Sequence, residues 1–242
     1  METVKNITYM NWSTGKDSAL ALYHTLNHSN YSVGKLLTSI NSHFDRVSMH
    51  GIRRELLDRQ IQQISIPNET IELPQNPSMS DYDKIMQDTV VSLQSEGYTH
   101  SVFGDIFLED LKKYREDKLA EVGITAFFPL WKRNTKELIK EFLSLGFKAI
   151  VVTVDASVLD ESFLGREIDN QFLNDLPKTV DPCGENGEFH TFCFAGPIFK
   201  NLVEFKLGET VFRNYQSSNN DGDKNICEIN AKGFWYLDLL PS

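Results

Sequence analysis

One stretch constrains the chain more than any other: Asn11-Trp12-Ser13-Thr14-Gly15-Lys16-Asp17-Ser18. A short apolar run, Ile7 to Trp12, precedes it and reads as a buried strand. Ala19-Leu20-Ala21-Leu22-Tyr23, with Leu26 beyond, comes after it and reads as an amphipathic helix. Strand, small-residue loop and helix N-terminus together aim backbone N–H groups and the positive end of a helix dipole at one point, which suits an anion such as phosphate. Gly15 allows close backbone approach and a positive φ. Lys16 can neutralise phosphate charge, Asp17 can hold magnesium, and Ser13 and Ser18 can donate hydroxyl hydrogen bonds. The plainer alternative is an ordinary strand-to-helix turn capped by Asp17 or Ser18.

Strands and helices continue to alternate beyond this loop. Val33 to Ile40 reads as a second strand, and Ile52, Leu56, Leu57, Ile61 and Ile64 recur at helical spacing. Glu69 to Leu73 is a third strand, Tyr82 to Leu93 a helix ended by Gly97, and Ser101 to Gly104 a fourth strand. A helix from Leu108 to Val122 and a fifth strand, Ile124 to Phe128, complete the series. Such alternation predicts parallel βαβ units and a doubly wound sheet, with ligands at the carboxyl ends of the strands. Ser13 to Ser18, the polar segment Asn41 to Gly51 with His50, and Gly104-Asp105 all fall at those ends.

The character changes at Pro129. Asn134 with Glu137 reads as a capping box opening a helix through Leu143, and Ala149 to Val154 as a β-branched strand. A short helix from Ile168 to Leu176 and strands over Phe189 to Phe194, Val203 to Phe212 and Phe234 to Leu240 come next. Gln216 to Lys224 is Asn/Asp-rich and reads as a mobile loop. Phe234, Trp235 and Tyr236 suit either a homodimer interface or, better for that composition, a core strand. The expected division is a nucleotide-binding domain over 1–128 and an acceptor lobe over 129–242.

Bulk properties narrow the options. With 242 residues the chain suits one two-lobed unit. Its net charge of −10 argues against nucleic-acid binding, which rests on Lys and Arg. Met1 to Asn6 does not resemble a signal peptide, and no apolar run is long enough to cross a membrane. Three separated cysteines, Cys183, Cys193 and Cys227, form no Cys-x-x-Cys pair. A reduced, cytoplasmic protein is expected.

A second cluster is Asp181-Pro182-Cys183-Gly184-Glu185-Asn186-Gly187-Glu188-Phe189-His190-Thr191. Two carboxylates, an amide and an imidazole fall close together, although Asn186-Gly187 alone signals a polar hairpin. No second histidine stands at zinc-ligand spacing.

The Ser13–Ser18 loop is not a Walker A motif, because Asp17 separates Lys16 from Ser18. It resembles the PP-loop, Ser-Gly-Gly-x-Asp-Ser, of the ATP pyrophosphatases, with Thr14 in place of the first glycine. Combined with Glu185-Asn186-Gly187-Glu188-Phe189-His190-Thr191, the chain resembles the diphthine–ammonia ligase family. Met49-His50-Gly51-Ile52-Arg53, Gly104-Asp105-Ile106-Phe107, Tyr114-Arg115-Glu116, Phe128-Pro129-Leu130-Trp131 and Leu159 to Arg166 extend the likeness from Ile7 to Phe199.

This resemblance implies a Rossmann-like (adenine nucleotide alpha hydrolase-like) α/β lobe and a smaller C-terminal α+β lobe. It implies ATP-dependent amidation, in which a carboxylate is adenylated, pyrophosphate leaves and ammonia displaces AMP. The family's acceptor is diphthine on elongation factor 2. Under this reading Ser13, Thr14, Gly15, Lys16, Asp17 and Ser18 hold ATP, and Asp17 holds magnesium. His50 contacts phosphate or packs; Gly104 and Asp105 face the nucleotide or metal. Arg166, Glu185, Asn186, Gly187, Glu188 and His190 bind the acceptor or ammonia, and either Glu185 or Glu188 serves as base. Arg166 forms a carboxylate clamp or an ion pair with Glu167. The alternatives are a pyrophosphatase acting on another carboxylate or a transfer-RNA base, and a non-catalytic ATP-binding protein.

Overall fold

The computed structural model describes residues 5–215 and 232–242. The Gln216–Lys224 loop and Cys227 lie outside the described residues. Strand β1 (Asn6–Asn11) leads into helix α1 (Lys16–Leu26), then β2 (Tyr31–Asn41), a two-residue β3 (Arg46–Val47), α2 (Arg54–Ile64) and β4 (Asn68–Leu73). Next come α3 (Met79–Ser95), β5 (His100–Val102), α4 (Glu109–Ala120) and β6 (Thr125–Phe127). Strand β1 pairs in parallel with both β2 and β5, β6 runs parallel to β5, and β4 runs parallel to the C-terminal part of β2. The chain therefore reverses its direction of winding between β1 and β5, which sets a switch point at the end of β1. Both the Ser13–Ser18 loop and Gly104-Asp105 leave the sheet there.

Helix α5 (Thr135–Ser144), β7 (Lys148–Asp155), α6 (Asn170–Asp175), β8 (Phe189–Ala195), β9 (Phe205–Tyr215) and β10 (Lys232–Pro241) form the rest. Their strands make an antiparallel sheet in the order β8-β7-β10-β9. Strand β7 is buried from Ala149 to Asp155, as a central strand should be. Trp235 and its neighbours sit inside this sheet, between β7 and β9. At α5, Asn134 caps through its side chain, accepting from Lys136 N (3.0 Å) and Glu137 N (3.2 Å). The reciprocal capping box occurs instead at Ser78 and Asp81 of α3.

The two sheets are not separate bodies. Helix α1 is apolar nearly all round, with Ala19, Leu20, Ala21 and Leu22 buried, and such a helix needs cover on more than one side. It finds the parallel sheet on one side and the second sheet on the other. One continuous core runs from Met10 and Leu20 through Phe142 and Val151 to Phe192. A smaller cluster, with Tyr9, Leu37, Leu93 and Phe103, fills the opposite face beneath α3 and α4.

A buried amide joins these layers. Gln60 of α2 accepts from Trp12 Nε1 (2.8 Å) and donates to the carbonyls of Cys193 (2.6 Å) and Thr14 (3.1 Å). Replacing it by a side chain of similar shape and no polarity strands the buried indole N–H. Gln60→Met should therefore cost about 2–3 kcal/mol, measured by urea unfolding; a midpoint equal to wild type would show that the amide bridges nothing of weight.

Candidate functional site

The loop after β1 takes its shape from Thr14. This residue adopts φ 72°, the left-handed region that β-branched residues avoid, while Gly15 is extended at φ −89°. The positive φ expected at Gly15 thus sits one residue earlier, where the resembling motif carries glycine. The Thr14 carbonyl is held by Cys193 N (2.9 Å) and Gln60 Nε2, which overrides the local preference. Its side chain is fully buried and its hydroxyl has no hydrogen-bond partner. Thr14, expected among the residues that hold ATP, does not line the cleft, and that expectation is corrected. Gly15 is needed for space: a Cβ there would lie 2.6 Å from His50 Cε1 and 3.2 Å from the Thr191 carbonyl. It also occupies the N-cap position expected for Asp17 or Ser18.

Ser13 and Ser18 are linked through their hydroxyls (3.1 Å), and Ser18 Oγ donates to Gly15 O (2.9 Å). The Lys16 N–H donates to Thr191 Oγ1 (3.0 Å), which ties the helix start to β8. Gly104 brings the β5 end against the same turn, since a Cβ there would stand 3.0 Å from the Asp17 backbone.

Three carboxylates and two cations meet at this point. Lys16 is buried, with its ammonium on Asp17 Oδ2 (2.7 Å), on the Cys183 carbonyl and 5.2 Å from the Phe189 ring centroid. Burial disfavours its charge, but Asp17, Cys183 and Glu185 outweigh that and raise its pKa. Burial also raises Asp17 against the pull of Lys16. Asp105 pairs with Arg115, whose guanidinium lies 4.5 Å from the Phe103 ring centroid. Its carboxyl is raised by burial, with Arg115 opposing and Asp17 adding. Glu185 accepts from Ile106 N (2.7 Å) and Phe107 N (3.3 Å), which draws the second cluster over the β5 end. Burial pushes Glu185 up to about 7, with the bond from Ile106 N opposing.

His50 and His190 stand side by side, ring centroids 4.9 Å apart. His50 Nδ1 donates to Thr191 O (2.9 Å), which leaves Nε2 as its acceptor nitrogen. Burial lowers His50 to about 4 and His190 to about 3. Both are neutral at physiological pH.

Two expected site residues point elsewhere. Glu188 is buried and spends both oxygens on its own loop, accepting from Asp181 N (3.0 Å), Asn186 N (2.9 Å) and Asn186 Nδ2 (2.9 Å). It shapes the loop and is absent from the cleft wall. Arg166 pairs with Asp175 (2.7 Å) and lies over Phe163 and Phe172, while Glu167 pairs with Lys148 (3.4 Å). The carboxylate clamp and the Arg166–Glu167 pair are both corrected. Gln60, Arg115 and Thr191 have site roles that the sequence did not single out. The last two stand inside motifs that carry the family resemblance; Gln60 is one amide on a helix and carries no signal.

These groups open into one cleft of about 1080 Å³. Its polar head holds Ser13, Lys16, Asp17, Ser18, Glu185 and His190. Its body runs between α3 and α4 over Tyr9, Leu37, Ile71 and Phe103. At the head, hydroxyls and the α1 N-terminus converge, which is the chemistry of an anion site. Among the described residues no group of three or more His, Cys, Asp or Glu side chains is arranged to hold a metal ion. A magnesium ion at Asp17 would therefore draw its other ligands from phosphate oxygens and water, its usual habit. No described helix is long and apolar enough to cross a membrane.

Fold and site define a Rossmann-like α/β protein with a ligand cleft at its switch point. The Diphthamide synthase N-terminal domain family matches residues 6–126, and the Diphthamide synthase C-terminal domain family matches residues 134–230. The chain belongs to the diphthamide synthase family. It is similar to proteins named diphthine–ammonia ligase: 32% identical to that of Bos taurus over 110 residues, 43% of this chain and 41% of the relative. The Danio rerio protein is 26% identical over 155 residues, 61% of each chain. That of Schizosaccharomyces pombe is 28% identical over 100 residues, 40% of this chain and 16% of the relative. The matched stretch thus spans about two fifths of the Bos taurus protein.

This geometry has two measurable outcomes. In Thr14→Gly, lost strain of about 1–2 kcal/mol and an unpaired hydroxyl worth about 1–3 kcal/mol outweigh glycine's entropy, about 0.5–1 kcal/mol, and a lost methyl, about 0.8 kcal/mol. A net gain of about 2 kcal/mol should raise Tm by about 4–8 °C, read by calorimetry; a lower Tm would refute the strain. The second concerns pH. Glu185, raised to about 7, favours the folded state at acid pH and loses that contribution as pH rises from its ordinary value toward 7. The two histidines act oppositely: their contribution is complete above their ordinary value and fades as pH falls toward about 4 and 3. Between about pH 5 and 6.5, stability should climb more steeply in Glu185→Gln than in wild type. Parallel urea curves across that range would refute the Glu185 assignment.

Proposed function

We propose that the protein is an ATP-dependent amide ligase of the diphthine–ammonia ligase type, forming AMP and pyrophosphate. The observation that carries this reading is the meeting of the Ser13–Ser18 loop with Glu185 and His190 in one cleft: an anion cradle from one sheet beneath a polar cluster from the other. The chain's family membership supports the same reading.

Ser13, Ser18 and the α1 N-terminus receive the departing pyrophosphate, and Lys16 offsets its charge. The two hydroxyls turn from Ser18 Oγ and the Gly15 carbonyl to the phosphate when it binds, and donors held at one point supply most of the stabilisation of a charged transition state. Asp17, with Asp105 nearby, would hold magnesium, which spreads the negative charge of the phosphates when bound. An acceptor carboxylate oxygen attacks the α-phosphorus, and the bond from that phosphorus to pyrophosphate breaks. Ammonia then attacks the acyl carbon, the bond to AMP breaks, and the surplus proton on the nitrogen passes to solvent. Glu185 takes the proton from ammonium, because burial raises its affinity for a proton toward the neutral range where a general base works. Neutral His50 and His190 orient ligands through ring nitrogens without adding charge. The acceptor is a carboxylate, with diphthine on elongation factor 2 as the first to try.

The test is pyrophosphate and AMP release from ATP, magnesium and ammonium, with diphthine-bearing elongation factor and with pools of carboxylate metabolites. Lys16→Met and Asp17→Asn should each lower turnover by about 10²–10³-fold. ATP binding with no release under any acceptor would replace the ligase with a nucleotide-binding protein. Full turnover in both variants would remove the loop from the chemistry.

A further inference from the structure

Strand β10 lies beyond the family-matched residues, which end at 230, yet it reaches the cleft. Asp238 accepts from Arg46 Nη1 (2.7 Å), from Arg53 Nη2 (2.6 Å) and from Arg53 Nε (3.0 Å). Arg46 Nη1 donates also to Gly51 O (2.7 Å). Arg46 and Arg53 are the two feet of a tight hairpin. They face each other as an antiparallel bridge, with Val47 N donating to Ile52 O (2.8 Å) and Gly51 N to Val47 O (2.9 Å). Its tip, Ser48-Met49-His50, lines the cleft. Met49 and Gly51 hold φ of 63° and 69°, so the tip is a conformation that its own sequence disfavours at Met49. Tyr236, two residues before Asp238, packs on Gly51, with its ring 3.4 Å from where a Cβ would stand.

The ladder itself marks Asp238. Pairing of β10 with β9 slips there, from Leu237 opposite Thr210 to Leu239 opposite Leu207. A bulge of this kind re-aims a side chain. Without the carboxylate, two guanidinium groups would be left side by side at the hairpin's feet, repelling each other.

We infer that Asp238 is a positioning residue: it clamps both feet of the 46–53 hairpin so that His50 is seated over Gly15 and the loop that would receive the nucleotide. It touches no substrate, and it acts through His50. The nucleotide part of this inference rests on the proposed ligase reading; the seating of His50 does not. Arg53 and Arg46 overcome the effect of burial and hold the Asp238 carboxyl below its usual range, so the clamp is charged at working pH.

The experiment tracks the His50 ring directly. Asp238→Asn keeps the size of the side chain and the backbone ladder, and removes the charge. His50 should titrate by NMR near 4 in wild type and move toward 6.5 in Asp238→Asn, as the ring leaves its buried seat. The Kd for ATP should rise about tenfold, and in a His50→Ala background Asp238→Asn should change it less than about twofold, because the two residues act as one unit. Asp238→Glu should restore most of the loss. If Asp238→Asn fails to fold, Arg53→Gln, which removes one foot, is read the same way. An unmoved His50 titration, or additive losses in the double variant, would overturn the inference. Absence of pyrophosphate release from wild type would count against the ligase alone, since the His50 titration still decides the clamp.

Discussion

The bond between Cys193 N and the Thr14 carbonyl, 2.9 Å long, is the junction on which the site depends. It ties the loop that ends β1 to a strand of the other sheet. Thr191 takes the Lys16 N–H and the His50 imidazole N–H on either side of it, and Gln60 closes the arrangement from α2. A loop with a β-branched residue at positive φ would not hold its shape alone. Here two elements, β8 and α2, fix it at once, and the strain falls on a residue whose carbonyl, rather than side chain, is what the structure uses. The loop is therefore held by partners about 180 residues downstream, and the polar head of the cleft is a product of both sheets.

Charge in the cleft is arranged around the same junction. Lys16 cannot swing freely, being held between Asp17 and the Cys183 carbonyl; its position is set before any ligand arrives. Arg115 performs the matching task for Asp105 while lying on Phe103. Two cations against Asp17, Asp105 and Glu185 leave a surplus of carboxylate, and burial raises the affinity of all three for protons. Such a site relaxes when a cation, or a proton, joins it. That is the electrostatic setting a magnesium-bound phosphate chain would meet.

Much of this could be read from the sequence, and the failures share a cause. Alternation of apolar runs and helical periodicity identified the parallel sheet, and placed Ser13–Ser18 and Gly104-Asp105 at one end of it. Those are local patterns, and local patterns survive folding. The direction of a polar side chain does not, because it depends on neighbours brought in from afar. Glu188 looked like a site carboxylate because it stands two residues from His190, yet it is taken up by three donors of its own loop and is absent from the cleft wall. Arg166 found Asp175 rather than Glu167. Gln60 meets residues 46 to 133 positions away and had no local mark at all. The short β3 hairpin was hidden inside a polar segment, since two residues carry too little pattern to read.

Helix α1, buried between two sheets, has a consequence for motion. Many two-lobed proteins admit ligands by swinging one lobe from the other about a linker. A helix apolar on both sides forbids that here, because any hinge between the sheets would bare Leu20 and Leu22 to water. Traffic through the cleft is left to the seam between α3 and α4, since Asp238 holds the 46–53 hairpin and Glu188 ties the 181–188 loop to itself. With one core shared between the sheets, the two lobes should melt together as a single cooperative unit.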